Sequence, residues 1–252
     1  MAAELEVLTL NLWGLPWPAA RERRARKQRF AEHLEQRAYD LVGIQELWWP
    51  WRRSLRVGSL VLPPTRRDSG LALAGRLPVR EVRAEHFRAG RGVDRLKRKG
   101  FLRARAQAPT GEALAVCVVH LQAARRHAAA RARQVDELLE RLSGEREPIV
   151  LMGDFNFHDG CPEDGRSAAS LRSAGFADAA LALARAEPTW HAPSNPYVPR
   201  REAQRFDRVY LRDGGGLRLR PLAAEVLRMA PRPVSDHHPL RVRVRVSASA
   251  SP

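Results

Sequence analysis

Short runs of alternating or continuous apolar residues, broken by glycine, proline and polar clusters, dominate this chain. Strands are predicted at ELEVLTLNL, DLVGIQE, SLVLP, GLALA, VREVRAEHF, GFLRARAQA, ALAVCVVHL, PIVLMGD, RFDRVYLR, AAEVLRM and PLRVRVRV. The run RVRVRV (241–246) sets arginine on one face and valine on the other, the pattern of a half-buried strand. Helical spacing is rarer. Residues 20–38 carry Phe30 and Leu34 on one stripe, and residues 127–142 carry Val135, Leu138, Leu139 and Leu142, with Gly144 just beyond as a cap. SAASLRSAG (167–175) ends on another glycine. Many strands with interspersed helices predict sheets covered by helices, an α/β or α+β layered fold. No internal repeat, long linker or composition shift interrupts the chain. Residues 1–246 are therefore expected to form one domain and 247–252 a disordered tail.

Composition narrows the setting. A length of 252 residues suffices for a substantial core. Cys117 and Cys161 are too few for a disulfide framework and lack metal-ligand spacing; Cys117 lies in ALAVCVVHL as a small core residue. The N-terminus has no basic and apolar signal pattern, and no run approaches the roughly 18 apolar residues of a membrane span. A cytoplasmic protein with room for peripheral membrane association is expected. The formal charge is +16, and only Lys27, Lys97 and Lys99 among the 44 basic residues are lysine. Such a charge suits polyanions, either nucleic acid or an anionic membrane, and equally suits arginines spread over solvated faces.

Polar residues recur at the ends of the apolar strands. Asn11 closes the first, Gln45 and Glu46 the second, His120 the run ALAVCVVH, and Asp154 and Asn156 follow PIVLMG. Asp207 opens RFDRVYLR, and Asp236, His237 and His238 precede the last strand. Singly, each is an ordinary solvated acid or a core histidine. As a set they suit a hard divalent cation, because Mg²⁺ takes few protein carboxylates and keeps water and substrate phosphate. Glu46 is the first-choice ligand, with Asp236 and Asn11 in or next to the shell. Asp154 suits a general base toward water, Asn156 orients that water or the phosphate, and the histidines serve the transition-state oxygens or the leaving group. Asp207 suits a partner that fixes His237. No GxSxG or Cys/His nucleophile motif is present.

The ordered segments NLWG, QE, HLQA, GDFN, FDRVY and SDHHPL resemble the endonuclease/exonuclease/phosphatase superfamily over about residues 5–246. The resemblance implies an α/β four-layer sandwich of two mixed β-sheets flanked by helices. It also implies Mg²⁺-dependent phosphoester hydrolysis by water, with Mn²⁺ as an alternative ion. Matched position by position, Glu46 is the metal ligand with Asn11 beside it. Asp154 and Asn156 serve nucleophile and phosphate, His120 contacts phosphate, and Asp236 and His237 close the site with Asp207 behind. Nuclease members often carry aspartate two residues after the first asparagine; here Trp13 stands there, which weakens a second metal contact and the nuclease alternative.

Two segments bear on the substrate. GVDRLKRKGFLRAR, with Asp94 and Lys99, is similar together with HLQA to the neutral sphingomyelinase branch, which implies service of the active site; Lys99 at a glycine-containing turn has the reach to a phosphate. Trp13, Trp17, Trp48, Trp49 and Trp51 follow the first two site motifs, and suit a membrane interface or stacking on bases. HLQAARRHAAARARQVDELL and the later TW…N…RFDRVYLR, with Trp190 and Asn195, also resemble the tyrosyl-DNA phosphodiesterase branch. A sphingomyelinase-like phosphodiesterase is preferred, with a DNA-end phosphodiesterase as the alternative and a lipid surface or nucleic acid as the respective partner. A non-enzymatic, nucleic-acid-binding module would use the arginines but gains nothing from Glu46, Asp154 and Asp236.

Overall fold

The computed structural model describes residues 2–16, 18–48, 55, 60, 69–198, 202–229 and 231–249. In chain order the elements are β1 (Ala3–Asn11), α1 (Arg23–Gln36), β2 (Leu41–Gln45), β3 (Ala72–Ala74), β4 (Val79–His86), α2 (Gly92–Leu96), β5 (Gly100–Gln107) and β6 (Ala113–His120). There follow α3 (Ala128–Leu142), β7 (Ile149–Asp154), α4 (Pro162–Ser173), β8 (Ala177–Asp178), α5 (Ala179–Ala182), β9 (Trp190–His191) and β10 (Ala203–Gln204). The last three are β11 (Asp207–Arg212), β12 (Leu217–Val226) and β13 (Leu240–Ala248).

These strands form two large mixed sheets, ordered β12-β13-β1-β2-β3 and β4-β5-β6-β7-β11-β8, plus the small β9–β10 pair. The parallel pairings are β1 with β2 and β6 with β7. The expected four layers are present. Alternate residues of the two sheets, including Leu5, Val7, Leu41 and Val242 against Val116, Val118, Val150 and Met152, meet in one apolar layer. The outer face of the first sheet, with Leu8, Leu10, Val42 and Ile44, packs on Phe30 and Leu34 of α1. The outer face of the second, with Cys117, Val119 and Leu151, packs on Val135, Leu138 and Leu142 of α3 and Leu171 of α4. Leu138 is fully buried there, so truncating it to alanine costs about 2–5 kcal/mol. Burial also pushes the Cys117 thiol up to about 12, so it is an inert core group.

Several boundaries depart from the sequence expectation. The strand expected at AAEVLRM instead begins at Leu217 and ends at Val226. Pro221, which discourages a strand assignment, sits at a register shift, and β12 is an edge strand, paired with β13 on one side alone. The tail boundary expected after Val246 falls inside β13, because Ser247 and Ala248 pair with Arg218 and Leu217. α4 starts earlier than SAASLRSAG, at Pro162, where proline is at home in a first helical turn. GVDRL forms the short helix α2. The expected strand SLVLP lies, apart from Leu60, outside the described residues.

Candidate active site

The layer between the sheets turns polar at one end. On β1 the inward series Leu5, Val7 and Thr9 closes with Asn11; on β6 Leu114, Val116 and Val118 close with His120; on β7 Val150 and Met152 close with Asp154. β11, running the other way, enters with Asp207 before Val209 and Leu211. The period of two that buries the aliphatic residues therefore delivers these polar groups to the same place. Register sets them side by side, with Asn11 opposite Gln45 and Asp154 flanked by His120 and Asp207.

Three loops leave the strand ends through left-handed residues: Trp13 (φ 48°), Glu46 (φ 56°) and Asn156 (φ 51°). For residues with a Cβ this conformation costs roughly 1–2 kcal/mol, a strain typical of sites where a side chain is re-aimed. Gly14 permits the close approach of the first two loops, since a Cβ there would lie 2.0 Å from the Glu46 carbonyl oxygen. Gly153 (φ 144°) does the same between β7 and β6, where a Cβ would lie 2.0 Å from the Val119 carbonyl oxygen.

Asp154 is the hub. Its Oδ2 accepts from Asn11 Nδ2 at 2.9 Å and lies 3.3 Å from His120 Nε2, while Oδ1 accepts from the Asn156 N–H at 2.9 Å. Asn156 Nδ2 in turn donates to the Leu121 carbonyl at 3.0 Å. Burial alone would raise the Asp154 carboxyl, but His120, His237 and Lys99 outweigh it and hold the group well below the usual carboxylate range. His237 Nδ1 donates to Asp207 Oδ2 at 2.7 Å. Burial would lower this imidazole, yet Asp207, with Asp154 and Asp236 adding to it, pushes it up to about 10. Asp207 itself is raised, chiefly by burial. Because Nδ1 is committed to Asp207, Nε2 is the His237 nitrogen left for a ligand.

Ser235 ties the last site loop to the first. Its Oγ donates to the Asn11 carbonyl at 2.6 Å, lies 3.1 Å from Asp236 Oδ1 and accepts from the His237 N–H at 3.2 Å. Burial pushes the Asp236 carboxyl up to about 6, and the nearby Glu46 charge adds to the rise. Glu46 is buried, with Oε1 3.7 Å from Lys97 Nζ and Oε2 without a hydrogen-bond partner. Among the described residues no three His, Cys, Asp or Glu side chains are grouped as a ready metal cage. The buried Glu46 oxygen without a hydrogen-bond partner, with Asp236 close enough to feel its charge, nonetheless fits a hard cation whose other ligands are water and phosphate. Asn11 is mostly engaged: Nδ2 serves Asp154 and Oδ1 accepts from the Trp13 N–H at 2.9 Å, leaving one Oδ1 lone pair.

Three residues expected at the substrate hold loops instead. Asp94 Oδ2 accepts from the Ala123 N–H at 2.7 Å and Gln122 Nε2 at 2.8 Å, and pairs with Lys99 Nζ at 3.3 Å. Lys99 is buried and donates to the Leu121 carbonyl at 2.7 Å. The pair thus braces the loop after His120 from behind. Burial depresses the Lys99 ammonium, although Asp94, Asp154 and Glu46 oppose this. Asn195 spends Nδ2 on the Ser235 and Asp236 carbonyls at 2.9 and 3.0 Å and Oδ1 on the Tyr197 N–H. The short side chains of Asp94 and Asn195 bond nearby loop backbone, and Lys99 spends two of its three donors on the Leu121 carbonyl and Asp94.

The tryptophans divide. Trp17, Trp49 and Trp51 lie outside the described residues. Trp13 is half-buried beneath the Arg26 guanidinium, 4.7 Å from its ring centre, and beside Tyr197 at 5.6 Å. It walls a cavity of about 420 Å³ with Trp190, Tyr197, Arg21 and Asp236. Trp48 is half-buried against Gly70, where a Cβ would meet its ring at 2.9 Å. His238 turns away from the site, with Nε2 2.9 Å from Ser194 Oγ.

Two fully buried arginines hold the site loops and carry no motif in the sequence. Arg131 of α3 is fully buried; it makes a two-pronged pair with Asp164 at 2.8 Å and donates to the Gln122 and Ala124 carbonyls at 3.0 and 2.7 Å. Asp164 also accepts the His158 N–H at 2.9 Å. The pair therefore clamps the loops that follow His120 and Asp154. Arg26 of α1, likewise fully buried, donates to the Leu12, Trp13 and Val234 carbonyls and so clamps the loops after Asn11 and before Ser235. The available signal was position: Arg131 precedes Val135 by four residues and Arg26 precedes Phe30 by four, placing both arginines in apolar stripes.

A sandwich of two mixed sheets with acids and imidazoles gathered at one end of its inner layer matches known proteins. Residues 8–237 match the Endonuclease/Exonuclease/phosphatase family, and the chain belongs to it. It is 24% identical over 235 residues to human sphingomyelin phosphodiesterase 2, covering 80% of this chain and 53% of that protein. It spans between 10% and 53% of the length of the curated relatives it matches. The structure of D. rerio TDP2 complexed with a single strand DNA product superposes with a TM-score of 0.79 at 19% identity, covering 96% of this chain and 99% of that one. A Staphylococcus aureus beta toxin mutant with bound magnesium ions superposes with a TM-score of 0.73 at 17% identity, covering 95% and 99%. No helix among the described residues is long and apolar enough to cross a membrane.

Proposed function

We propose that the chain hydrolyses a phosphodiester by direct attack of water on phosphorus, and that its substrate is a sphingomyelin-type phospholipid. The observation that carries this is the Asp154 hub, where one buried carboxylate meets Asn11, His120 and the Asn156 backbone at the mouth of the inner layer. A hard divalent cation, Mg²⁺ or Mn²⁺, held by Glu46 with Asp236 and Asn11 beside it, would polarise a phosphoryl oxygen and offset charge developing there. Asp154 orients the attacking water and takes its proton. Its depressed proton affinity rises as a substrate phosphate adds negative charge nearby. Asn156 and His120 fix Asp154 and the phosphate, while the His237 imidazolium, held by Asp207, offers Nε2–H to the oxygens that gain charge or to the leaving group. No covalent intermediate is invoked: the serine beside these groups, Ser235, is buried and spends its hydroxyl proton on the Asn11 carbonyl.

The sphingomyelin phosphodiesterase relative supports the lipid substrate. A DNA-end phosphodiester is the second reading, favoured by the aromatic cavity beside Asp236, where Trp13, Trp190 and Tyr197 suit a stacked base with Arg21 near its phosphate. The deciding experiment is a side-by-side assay of the pure protein with Mg²⁺ on vesicular sphingomyelin and on 5′-phosphotyrosyl DNA. Faster turnover of sphingomyelin is expected; turnover of the DNA alone would overturn the lipid assignment.

A further inference from the structure

Among the described residues three large apolar side chains are strongly exposed: Val93 at 66%, Leu96 at 81% and Leu181 at 53%. Two of them share α2. They are three positions apart and so lie on one side of its single turn. Asp94, on the other side, is buried on the Gln122–Ala123 loop, and Lys97, one residue past the helix, reaches Glu46. This inverts the usual surface helix: the acid faces the protein and the aliphatic residues face out. Arg88, Arg91, Arg95 and Arg98 flank the pair along the chain, all exposed and none in an ion pair with a described residue. Between residues 88 and 99 the single acid is the buried Asp94.

We propose that the outer face of α2 docks on an anionic lipid surface, with Val93 and Leu96 entering the acyl boundary and the four arginines meeting headgroup phosphates. A protein partner would need roughly 800 Å² of complementary surface, and two aliphatic side chains on one turn offer far less. Unpaired nucleic acid binds through aromatic stacking, which valine and leucine cannot supply. Two exposed apolar side chains in a segment of exposed arginines are what an anionic lipid interface accepts. The inner side of the same turn reaches Glu46 through Lys97, so docking brings the mouth of the candidate site to the plane of the lipid. The inference deepens the lipid reading above, but its test reads binding and not turnover.

The test is flotation of the full chain with mixed phosphatidylserine–phosphatidylcholine vesicles, with phosphatidylcholine vesicles and a single-stranded oligonucleotide as separate arms. Val93→Ser with Leu96→Ser should weaken partitioning to the mixed vesicles about tenfold or more. Arg91→Ser with Arg95→Ser should do so by a similar factor and flatten the dependence on salt. All four positions are exposed, so the thermal midpoint should not move. Unchanged flotation of the Val93/Leu96 variant overturns the proposal, as does oligonucleotide binding lost in the arginine variant with no vesicle binding by the parent. Hydrolysis of bis(p-nitrophenyl) phosphate, measured separately, distinguishes the failures. Flotation without hydrolysis supports docking and removes the enzyme assignment; hydrolysis without flotation removes docking and leaves the enzyme.

Discussion

Asn11 Nδ2 donates to Asp154 Oδ2 at 2.9 Å across the gap between the two sheets, joining residues 143 positions apart in sequence. Each belongs to the inward series of its own strand, so their meeting depends on the stacking of the sheets and not on either loop. The contact also makes Asn11 sensitive to charge. Asn11→Asp would set a second carboxylate against Asp154, and like charges at this distance raise one of the two strongly. The acid limb of the pH–rate profile should then move to higher pH. Asn11→Ala, which only removes a donor to the carboxylate, should move that limb in the same direction but less, and lower kcat by about 10²-fold or more, the scale of one lost preorganised donor.

Asp207 pairs with His237 Nδ1 at 2.7 Å, and the proposed mechanism gives it no contact of its own with substrate. With Asp207 present the imidazole is raised to about 10, so its charged form is available through neutral pH and lost as pH rises through that value. Asp207→Asn removes the largest opposing charge and should bring the alkaline limb of kcat down toward the ordinary histidine range near 6.5. KM should change little. An alkaline limb that stays in place would show that another group controls it.

Asp236 tests the proposed cation site through competition with protons. Its carboxyl is raised to about 6 without an ion. Below that pH a ligand there must shed a proton before it can bind, so the apparent Mg²⁺ affinity should fall up to about tenfold per pH unit. Titration calorimetry between acid and neutral pH measures this directly. Asp236→Asn should bind Mg²⁺ more weakly and with a flatter pH dependence.

The Arg131–Asp164 clamp separates stability from positioning. Arg131→Ala leaves a buried carboxylate unpaired and should cost about 3–5 kcal/mol in urea unfolding. Arg131→Met combined with Asp164→Leu removes both charges and should recover much of that loss. The double variant nevertheless lacks the donors that hold the Gln122 and Ala124 carbonyls, so its kcat should stay low. Full recovery of kcat along with stability would assign the pair to packing alone.

The sandwich and the strand-end residues were legible because both follow from a period of two. Once Val116 and Val118 face inward, His120 must as well, and the same parity carries Met152 to Asp154 and Val7 to Asn11. What parity cannot supply is the turn beyond the strand. Glu46 enters the site through its left-handed backbone; its place at a strand end and its acid chemistry pointed there, not the parity of the strand. Lys99, Asp94 and Asn195 are near the site, but the sequence does not show that nearby carbonyls and N–H groups consume them. Arg131 and Arg26 were hidden by abundance, since in an arginine-rich chain two more in apolar stripes attract no notice. Pro221 similarly masked the first half of an edge strand.

We propose that Glu46 and Asp154, both close enough to act on the buried Lys99 ammonium, serve a single metal-assisted hydrolysis. The most direct measurement is the initial rate on bis(p-nitrophenyl) phosphate across a Mg²⁺ titration, for the parent chain, Glu46→Gln and Asp154→Asn. EDTA should abolish the parent rate and Mg²⁺ restore it; Glu46→Gln should need far more Mg²⁺, and Asp154→Asn should stay at least ~10²-fold slow at saturation. A parent rate indifferent to EDTA, or an Asp154→Asn rate close to the parent's, would contradict the account.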